Sequence, residues 1–324
     1  MKGKQGLVCM GLLLVLSSCS CHTGKQITAS GLQRKDFQTE VNGQHTDLFT
    51  LSNKQGMEVC ITNYGARVVS ILVPDRNGKR EDVVCGFSTI TEYMEQRQNF
   101  GSTVGRYIGR ILNARFTLDG VEYKLVPNNG KSGHISHGGN PGFADRIWKV
   151  EQADTHRVRL SYLSPDGENG FPGNLKVTLV YSLGEDDNAL DLTYEATTDA
   201  PTVLNLSHHS FFNISGNFTK SVEDQQLWVD ADRFTPYDDK KCVTGEYLPV
   251  AGTPLDFRMP HTIGECIDAD HPQLKVVNGY DHTWELNTKG DDTRPAAWVY
   301  DPASGRKMEI FTTEPGMQIY TGNG

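Results

Sequence analysis

Apolar and polar residues alternate along much of this chain, as they do in strands that bury one face of a sheet. The alternation is clearest in the stretches 66–73, 156–163, 175–183, 189–196 and 307–312. Only the segment from Thr89 to Gln98 has the pattern of a short helix. The pattern therefore predicts an all-β fold.

A tight hairpin is predicted at Asp119-Gly120, which separates two strand-like runs, 115–118 and 121–125. Both turn residues tolerate positive φ, which the commonest two-residue hairpin turn requires. Low-complexity linkers and internal repeats are not apparent in the sequence. We therefore predict one domain, a large antiparallel β-sandwich over residues 31–324.

The charge of the chain limits the class of partner. Its 324 residues carry a formal net charge of −9, and Lys and Arg do not form runs interleaved with aromatic residues. Nucleic acid attracts basic surfaces. We therefore expect no nucleic-acid partner.

The seven cysteines suggest neither a disulfide framework nor a zinc site. Cys9 and Cys19 lie in the amino-terminal segment. The other five are Cys21, Cys60, Cys85, Cys242 and Cys266. They are odd in number and lack the paired spacing of metal ligands. The five cysteines are still compatible with a single disulfide in an oxidising compartment.

The amino terminus resembles a bacterial lipoprotein signal. Lys2 and Lys4 precede an apolar run, residues 7–16, which is too short for a comfortable membrane span and ends in Leu16-Ser17-Ser18-Cys19. The resemblance implies a signal peptide over residues 1–18 and lipidation of Cys19. It also implies a bacterial cell-envelope location, at the periplasmic face or the cell surface. An ordinary cleaved signal peptide is the alternative.

The polar stretch 19–30 follows the lipoprotein box. Its side chains are mostly small or polar, and they show no apolar periodicity. Such a composition suits a flexible tether between a lipid anchor and a folded domain.

Candidate proton chemistry lies in the stretch 205–213, where His208 and His209 stand among hydroxyl, amide and aromatic side chains. Imidazole is the side chain whose ordinary pKa lies near neutrality, and aromatic faces pack on sugar rings. A second cluster holds His134 and His137, followed by a glycine pair that permits a sharp turn. The alternative interpretation is that the histidines of both clusters are ordinary core or loop residues without a role in chemistry.

Two later motifs add polar groups to this candidate chemistry. Asn278-Gly279-Tyr280-Asp281-His282 places a carboxylate after a glycine turn. The run from Pro315 to Asn323 brings the amide of Gln318 close to the ring of Tyr320. Each motif is weak by itself.

In this order the motifs resemble those of the aldose 1-epimerase (galactose mutarotase) family. The resemblance starts near Tyr64-Gly65-Ala66 and runs to the last residue, with residues 105–111 at the family's glycine-arginine motif. It implies a mutarotase-type β-sandwich with a sugar cleft on one sheet. It also implies an isomerase that interconverts the α and β anomers of free hexoses and needs no cofactor.

The same resemblance assigns roles to individual residues. His209 would protonate the ring oxygen of the sugar, and His137 would be a second active-site histidine. The groups that would hold sugar hydroxyls are Arg110, Asp281 and Gln318. Phe211, Phe212 or Tyr320 could offer an aromatic face. For Arg110, a salt bridge inside the sandwich is the alternative.

The sequence departs from the family pattern at the general base. The family's base is a glutamate beyond the Tyr-Thr-Gly-Asn motif, and the sequence stops at Gly324. We therefore expect a carboxy-terminally shortened chain with poor turnover, because each positioned acid or base contributes roughly 10²- to 10⁴-fold in rate. The candidate carboxylates to take its place are Asp281, Glu309 and Glu314. Smaller departures are Ser136 in place of leucine and His208 in place of asparagine.

Two other classes stay open. A zinc enzyme could be built from His134, His137, His208 and His209, although neighbouring strand residues point to opposite faces. A non-catalytic carbohydrate-binding lipoprotein, or an inactive truncated mutarotase, would fit the missing base. A sugar-phosphate enzyme is disfavoured, because no additional basic cluster stands beside the motifs.

Overall fold

The computed structural model describes residues 26–324. The predicted signal peptide, the predicted lipidation site Cys19, and Cys9 and Cys21 lie outside the described residues. The last residues of the predicted tether lie inside them. Here the Ala29 backbone N–H donates to a carboxylate oxygen of Glu58 at 2.6 Å, so this part of the tether contacts the folded domain.

Strands dominate the described residues. They are β1 (Glu40–Val41), β2 (Gln44–His45), β3 (Leu48–Ser52), β4 (Glu58–Thr62), β5 (Arg67–Pro74), β6 (Arg80–Asp82), β7 (Thr103–Val104), β8 (Arg110–Ile111), β9 (Arg115–Leu118), β10 (Val121–Lys124), β11 (Ile135–Ser136), β12 (Lys149–Ala153), β13 (Arg157–Ser164), β14 (Leu175–Leu183), β15 (Leu190–Thr198), β16 (Ser207–His208), β17 (Gln226–Val229), β18 (Arg233–Thr235), β19 (Leu248–Pro249), β20 (His261–Thr262), β21 (Asp281–Glu285), β22 (Ala297–Tyr300), β23 (Lys307–Ile310) and β24 (Gly316–Tyr320).

Helical segments are few and short. The α-helices are α1 (Ile90–Gln96) and α2 (Pro272–Val277). The 3₁₀ turns span Arg34–Phe37, Leu112–Ala114, Gly130–Ser132, Phe143–Asp145, Glu168–Gly170 and Ile263–Glu265.

The strands form antiparallel sheets. The four-stranded sheets have the orders β3-β4-β5-β6, β12-β13-β14-β15, β20-β17-β22-β23 and β19-β18-β21-β24. The two-stranded pairs are β1-β2, β9-β10, β8-β11 and β7-β16. The expected all-β class is thus confirmed as a mostly-β fold with a few short helical segments.

Apolar side chains from pairs of sheets share common cores. Val59 of β4 and Val68 of β5 belong to the same buried cluster as Leu160 of β13 and Leu179 of β14. A second cluster joins the other two four-stranded sheets through residues such as Leu227 and Trp284. Val299 packs against both clusters and so connects them.

Every predicted strand is present, with ends shifted by a few residues. The hairpin at Asp119-Gly120 is also confirmed, since β9 and β10 pair with Leu118 opposite Val121. The predicted helix corresponds to α1. Thr89 caps it by accepting from the Glu92 backbone N–H, while the Glu92 carboxylate accepts from the Thr89 backbone N–H at 3.0 Å.

The expectation of a single helix was wrong, because α2 is also present. Pro272 occupies its first turn, where a missing N–H costs nothing, and Asn278 ends it in the left-handed region at φ 62°. The six-residue length leaves too little periodicity for sequence analysis to detect.

The cysteines within residues 26–324 are unpaired, namely Cys60, Cys85, Cys242 and Cys266. In the same part of the chain, none of the helices combines the length and apolar character needed to cross a membrane.

Candidate active site

Pairing of β8 with β11 brings Arg110 and His137 together. Arg110 lies opposite Ser136, the residue before His137. The His137 backbone N–H then donates to the Gly109 carbonyl at 2.9 Å, and the Gly109 N–H donates back to His137 Nδ1 at 3.3 Å. Because Nδ1 accepts, the neutral ring carries its proton on Nε2.

A sharp turn after His137 fixes this arrangement. His137 has φ 52° and Gly138 has φ 80°, both in the left-handed region. A Cβ atom on Gly138 would lie 1.9 Å from the carbonyl oxygen of Gly105. Only glycine therefore permits this close backbone approach.

His209 lies next to His137 although it comes from another part of the chain. Its backbone N–H donates to the Ser102 carbonyl at 2.8 Å, and its carbonyl accepts from the Gly101 N–H at 3.0 Å. The two imidazole centroids are 5.4 Å apart, with the rings nearly perpendicular at 89°.

The two imidazoles differ in their electrostatic surroundings. Burial, helped by the positive charges of His209 and Arg110, lowers the pKa of His137 to about 4. Burial also lowers the pKa of His209, but a hydrogen bond to its own backbone and the negative charge of Asp281 oppose that shift. His209 is therefore the more basic of the two and the better placed to carry a proton.

Asp281 and Gln318 lie on neighbouring strands of one sheet. The register of β21 with β24 places Asp281 opposite Tyr320 and Thr283 opposite Gln318. Alternate residues of a strand share a face, so these four side chains line the same face. Gln318 Nε2 donates to Asp281 Oδ1 at 2.7 Å, and Gln318 Oε1 accepts from the Thr283 hydroxyl.

Electrostatics connect this sheet to the histidines. Burial raises the pKa of Asp281, while the hydrogen bond from Gln318 and the positive charges of Arg110, His209 and Lys241 work against the rise. The structure thus brings together all five sequence-predicted site residues: Arg110, His137, His209, Asp281 and Gln318.

The hydrogen bond that Arg110 makes is to a backbone carbonyl and not to a carboxylate, so it is not an internal salt bridge. Its Nη1 donates to the Lys241 backbone carbonyl at 3.0 Å, near the surface. The residue as a whole is half-buried, and this hydrogen bond of its guanidinium is exposed. This position leaves donor N–H groups for a ligand.

Aromatic rings border the site next to His209. The centroid of Phe211 lies 5.1 Å from the His209 ring and 5.6 Å from the Tyr320 ring. Phe212 instead forms a backbone bridge with Val84 and is exposed. Phe211 and Tyr320 are therefore the aromatic candidates that the structure places at the site.

Sequence reasoning missed Tyr237, whose hydroxyl accepts from Gln318 Nε2 at 3.2 Å. Tyr237 follows β18, and the pairing of β18 with β21 carries it to this place. It lies in a loop without periodicity. Only the register of these distant strands reveals it.

The three candidate carboxylates have different locations. Glu309 lies on β23 and pairs with Lys307 at 2.8 Å, whereas Glu314 lies in the turn before β24. Asp281 is the one whose charge acts on His209. It is therefore the carboxylate of the three that belongs to the site.

The four histidines of the zinc alternative do not converge. His134 Nδ1 accepts from the Asn113 N–H at 3.0 Å, and His208 Nε2 is hydrogen-bonded to the Ser210 hydroxyl at 2.6 Å. Across residues 26–324, no three His, Cys, Asp or Glu side chains are grouped as a metal site would require.

The site offers imidazole N–H groups, a guanidinium, a carboxylate, an amide and a phenol, beside aromatic faces. Hydroxyl groups both donate and accept hydrogen bonds, so this mixture suits a ligand rich in hydroxyls. The partly buried His209, within electrostatic reach of the Asp281 carboxylate, adds the capacity to transfer a proton.

Comparison with known proteins gives a consistent result. The sequence profile of the family described as "Aldose 1-epimerase" matches residues 47–324. A galactose mutarotase of Sus scrofa is 38% identical over 275 residues, which cover 85% of this chain and 77% of the pig protein. An aldose 1-epimerase of Escherichia coli K12 is 36% identical, with 87% of this chain and 80% of that protein covered.

Solved structures show the same similarity. The galactose 1-epimerase of Lactobacillus acidophilus NCFM superposes with a TM-score of 0.77 at 30% identity, covering 88% of this chain and 82% of that one. An aldose epimerase homologue from C. elegans also gives a TM-score of 0.77 at 30% identity, with coverages of 84% and 81%.

Proposed function

The chain belongs to the aldose 1-epimerase family and interconverts the anomers of sugars, and we propose that its substrates are free hexoses such as glucose and galactose. One observation above all supports this site as the place of the reaction: the His209 ring contacts the His137 ring at a right angle, and His209 lies within electrostatic reach of Asp281.

The reaction opens and recloses the sugar ring. A proton is given to the ring oxygen, a proton leaves the C1 hydroxyl, and the bond between C1 and the ring oxygen breaks to leave an aldehyde at C1. Rotation about the C1–C2 bond, followed by the reverse proton transfers, closes the ring with the other configuration. Both protons are conserved, so the cycle needs only an acid and a base.

His209 is the acid in this scheme. Asp281 supports its protonated form, and Phe211 and Tyr320 shield that side of the site. His137 stays neutral near pH 7 because its pKa is about 4, so it serves as a hydrogen-bond donor through Nε2. Arg110 and Gln318 bind sugar hydroxyls.

Asp281 has two possible uses, and one variant separates them. If Asp281 takes the proton from the C1 hydroxyl, Asp281→Asn lowers kcat with little change in KM. If Asp281 only binds a hydroxyl, the variant chiefly raises KM, because an interaction of similar strength in ground and transition states is lost.

The test follows the optical rotation of freshly dissolved α-glucose and α-galactose. We expect the folded protein to accelerate the change above the buffer rate. A folded protein that binds these sugars without acceleration would contradict the enzymatic assignment and favour a non-catalytic carbohydrate-binding lipoprotein or an inactive mutarotase.

We also propose a finer reading of the fold. The shared cores of β3–β6 with β12–β15, and of the remaining two four-stranded sheets, support stacked layers of a large antiparallel β-sandwich. A crystal structure would test this layering.

For location, we propose a lipid anchor at Cys19 in a bacterial cell envelope, which rests on the Leu-Ser-Ser-Cys sequence. Labelling of the wild-type protein with a radioactive fatty acid, lost in Cys19→Ala, tests the anchor. Labelling that persists in Cys19→Ala would contradict it.

A further inference from the structure

Tyr237 is held firmly beside the sugar-binding residues. Its backbone N–H donates to Gln273 Oε1 at 2.8 Å, and Gln273 Nε2 donates to the Tyr237 carbonyl at 3.0 Å. On its ring, the His282 imidazole packs with a centroid separation of 5.4 Å. These contacts fix the direction of the side chain without using its hydroxyl.

The Tyr237 hydroxyl points to the polar group formed by Gln318 and Asp281. Gln318 Nε2 donates to both the Tyr237 oxygen, at 3.2 Å, and Asp281 Oδ1, at 2.7 Å. The Thr283 hydroxyl, bonded to Oε1, sets the orientation of the amide. Because one nitrogen bonds both oxygens, the phenol and the carboxylate lie close together.

The bond from Gln318 uses the Tyr237 oxygen as an acceptor, so the phenolic proton remains to be donated. Among the side-chain hydrogen bonds of residues 26–324, none has this proton as the donor. Burial, together with the negative charge of Asp281, raises the pKa of Tyr237. The phenol therefore stays protonated and can donate near neutral pH.

We propose that Tyr237 is a further substrate-binding residue, which donates its O–H to a hydroxyl oxygen of the aldose beside the hydroxyl that donates to Asp281. A donor and an acceptor side by side match the donor-and-acceptor character of neighbouring sugar hydroxyls. This role rests on the proposed function, and it makes Tyr237 a determinant of which aldoses bind.

The variant Tyr237→Phe isolates the hydroxyl. The ring keeps its contact with His282 and the backbone keeps its bonds to Gln273. Gln318 keeps its bonds to Thr283 and Asp281. The variant therefore removes the proposed donor and leaves the wall of the site in place.

The experiment measures binding by calorimetry for glucose and for its 2-, 3-, 4- and 6-deoxy analogues. A neutral hydrogen bond contributes about 0.5–1.5 kcal/mol, so we expect Tyr237→Phe to weaken glucose binding roughly 2- to 12-fold. One deoxy sugar, which lacks the hydroxyl that Tyr237 contacts, should bind wild type and variant equally. In polarimetry, KM should rise with kcat nearly unchanged.

A matched control is Tyr123→Phe, in the β9-β10 hairpin, where the ring stacks on Phe116. It should leave every affinity unchanged. Unchanged glucose affinity in Tyr237→Phe overturns the proposal, and so does an equal loss for all the sugars, which would indicate a structural effect through Gln318.

Binding also separates this proposal from the proposed function. If wild type binds aldoses without accelerating anomer exchange, the enzymatic assignment fails while the deoxy-sugar pattern still decides the role of Tyr237. If wild type binds no aldose, the role of Tyr237 is overturned as well.

Discussion

The imidazoles of His137 and His209 lie 5.4 Å apart, centroid to centroid, with their planes nearly perpendicular. Both residues are partly buried, yet the charge of Asp281 supports the protonated form at His209. We therefore propose different tasks for the two histidines: His137 donates a hydrogen bond as a neutral ring, and His209 exchanges a proton.

Replacement of His209 by asparagine should slow anomer exchange about 10²- to 10⁴-fold, because a positioned acid is lost. Sugar affinity should change much less, since the other binding groups remain. Polarimetry and calorimetry measure the two quantities. The control is His45→Asn, which changes an exposed histidine far from His209 in the sequence and should retain full activity. A fast His209→Asn enzyme would rule out His209 as the acid.

The pH dependence of kcat/KM should follow the protonation of His209. Its pKa is lowered below 6.5, so activity should fall as the pH rises through that lowered value. Asp281→Asn removes the charge that opposes the lowering, and the alkaline limb should then move to still lower pH. Rates of the wild type and the variant measured from pH 4 to 8 check this, and an alkaline limb that does not move would contradict the coupling.

His208 should make the fold sensitive to acid. Burial, with the charge of His209, lowers its pKa to about 4 from 6.5. Between pH 6.5 and 4, the unfolded chain therefore binds a proton at His208 that the folded chain does not. The contribution of neutral His208 to the free energy of unfolding is full above pH 6.5 and is lost as the pH falls toward 4.

We therefore expect His208→Asn to reduce the loss of unfolding free energy between pH 6.5 and 4, by up to about 1.4 kcal/mol per pH unit. Urea unfolding at several pH values measures it. An identical pH dependence in wild type and variant would show that His208 does not contribute.

The turn at Gly138 should tolerate no side chain. A Cβ atom there would meet the Gly105 backbone at 1.9 Å, whereas Gly120 has a similar φ, 79°, with no atom within 4 Å of a Cβ. Gly120→Ala should cost about 1–2 kcal/mol for the left-handed conformation. Gly138→Ala adds the clash and should cost more than about 4 kcal/mol. Equal costs in thermal or urea unfolding would contradict this difference.

The sequence predicts elements that have a local signal. The Asp119-Gly120 turn and the alternation in β14 arise from neighbouring residues, and the structure contains both. The short helix α2 has too few residues to show a period. Its proline and asparagine at the two ends carry the only signal.

Motif order predicted candidate site residues that lie in recognisable stretches, such as His209 and Asp281, and the structure places these two within electrostatic reach of each other. Tyr237 was missed because its proposed role depends on the pairing of β18 with β21 and on the shared donor of Gln318, which are long-range relations. Charge effects such as the difference between His137 and His209 likewise depend on burial, which a single sequence does not give.

The hydrogen bond from Arg110 to the Lys241 carbonyl joins positions 131 residues apart. A sugar that touches Arg110 and Asp281 together needs two side chains that are distant in the sequence and meet only in the folded protein. It therefore binds the native state and not the unfolded chain. Such a ligand at 100 times its Kd stabilises the native state by about 2.7 kcal/mol. Thermal melting in the presence of different aldoses would therefore rank their affinities, even for variants that no longer convert them.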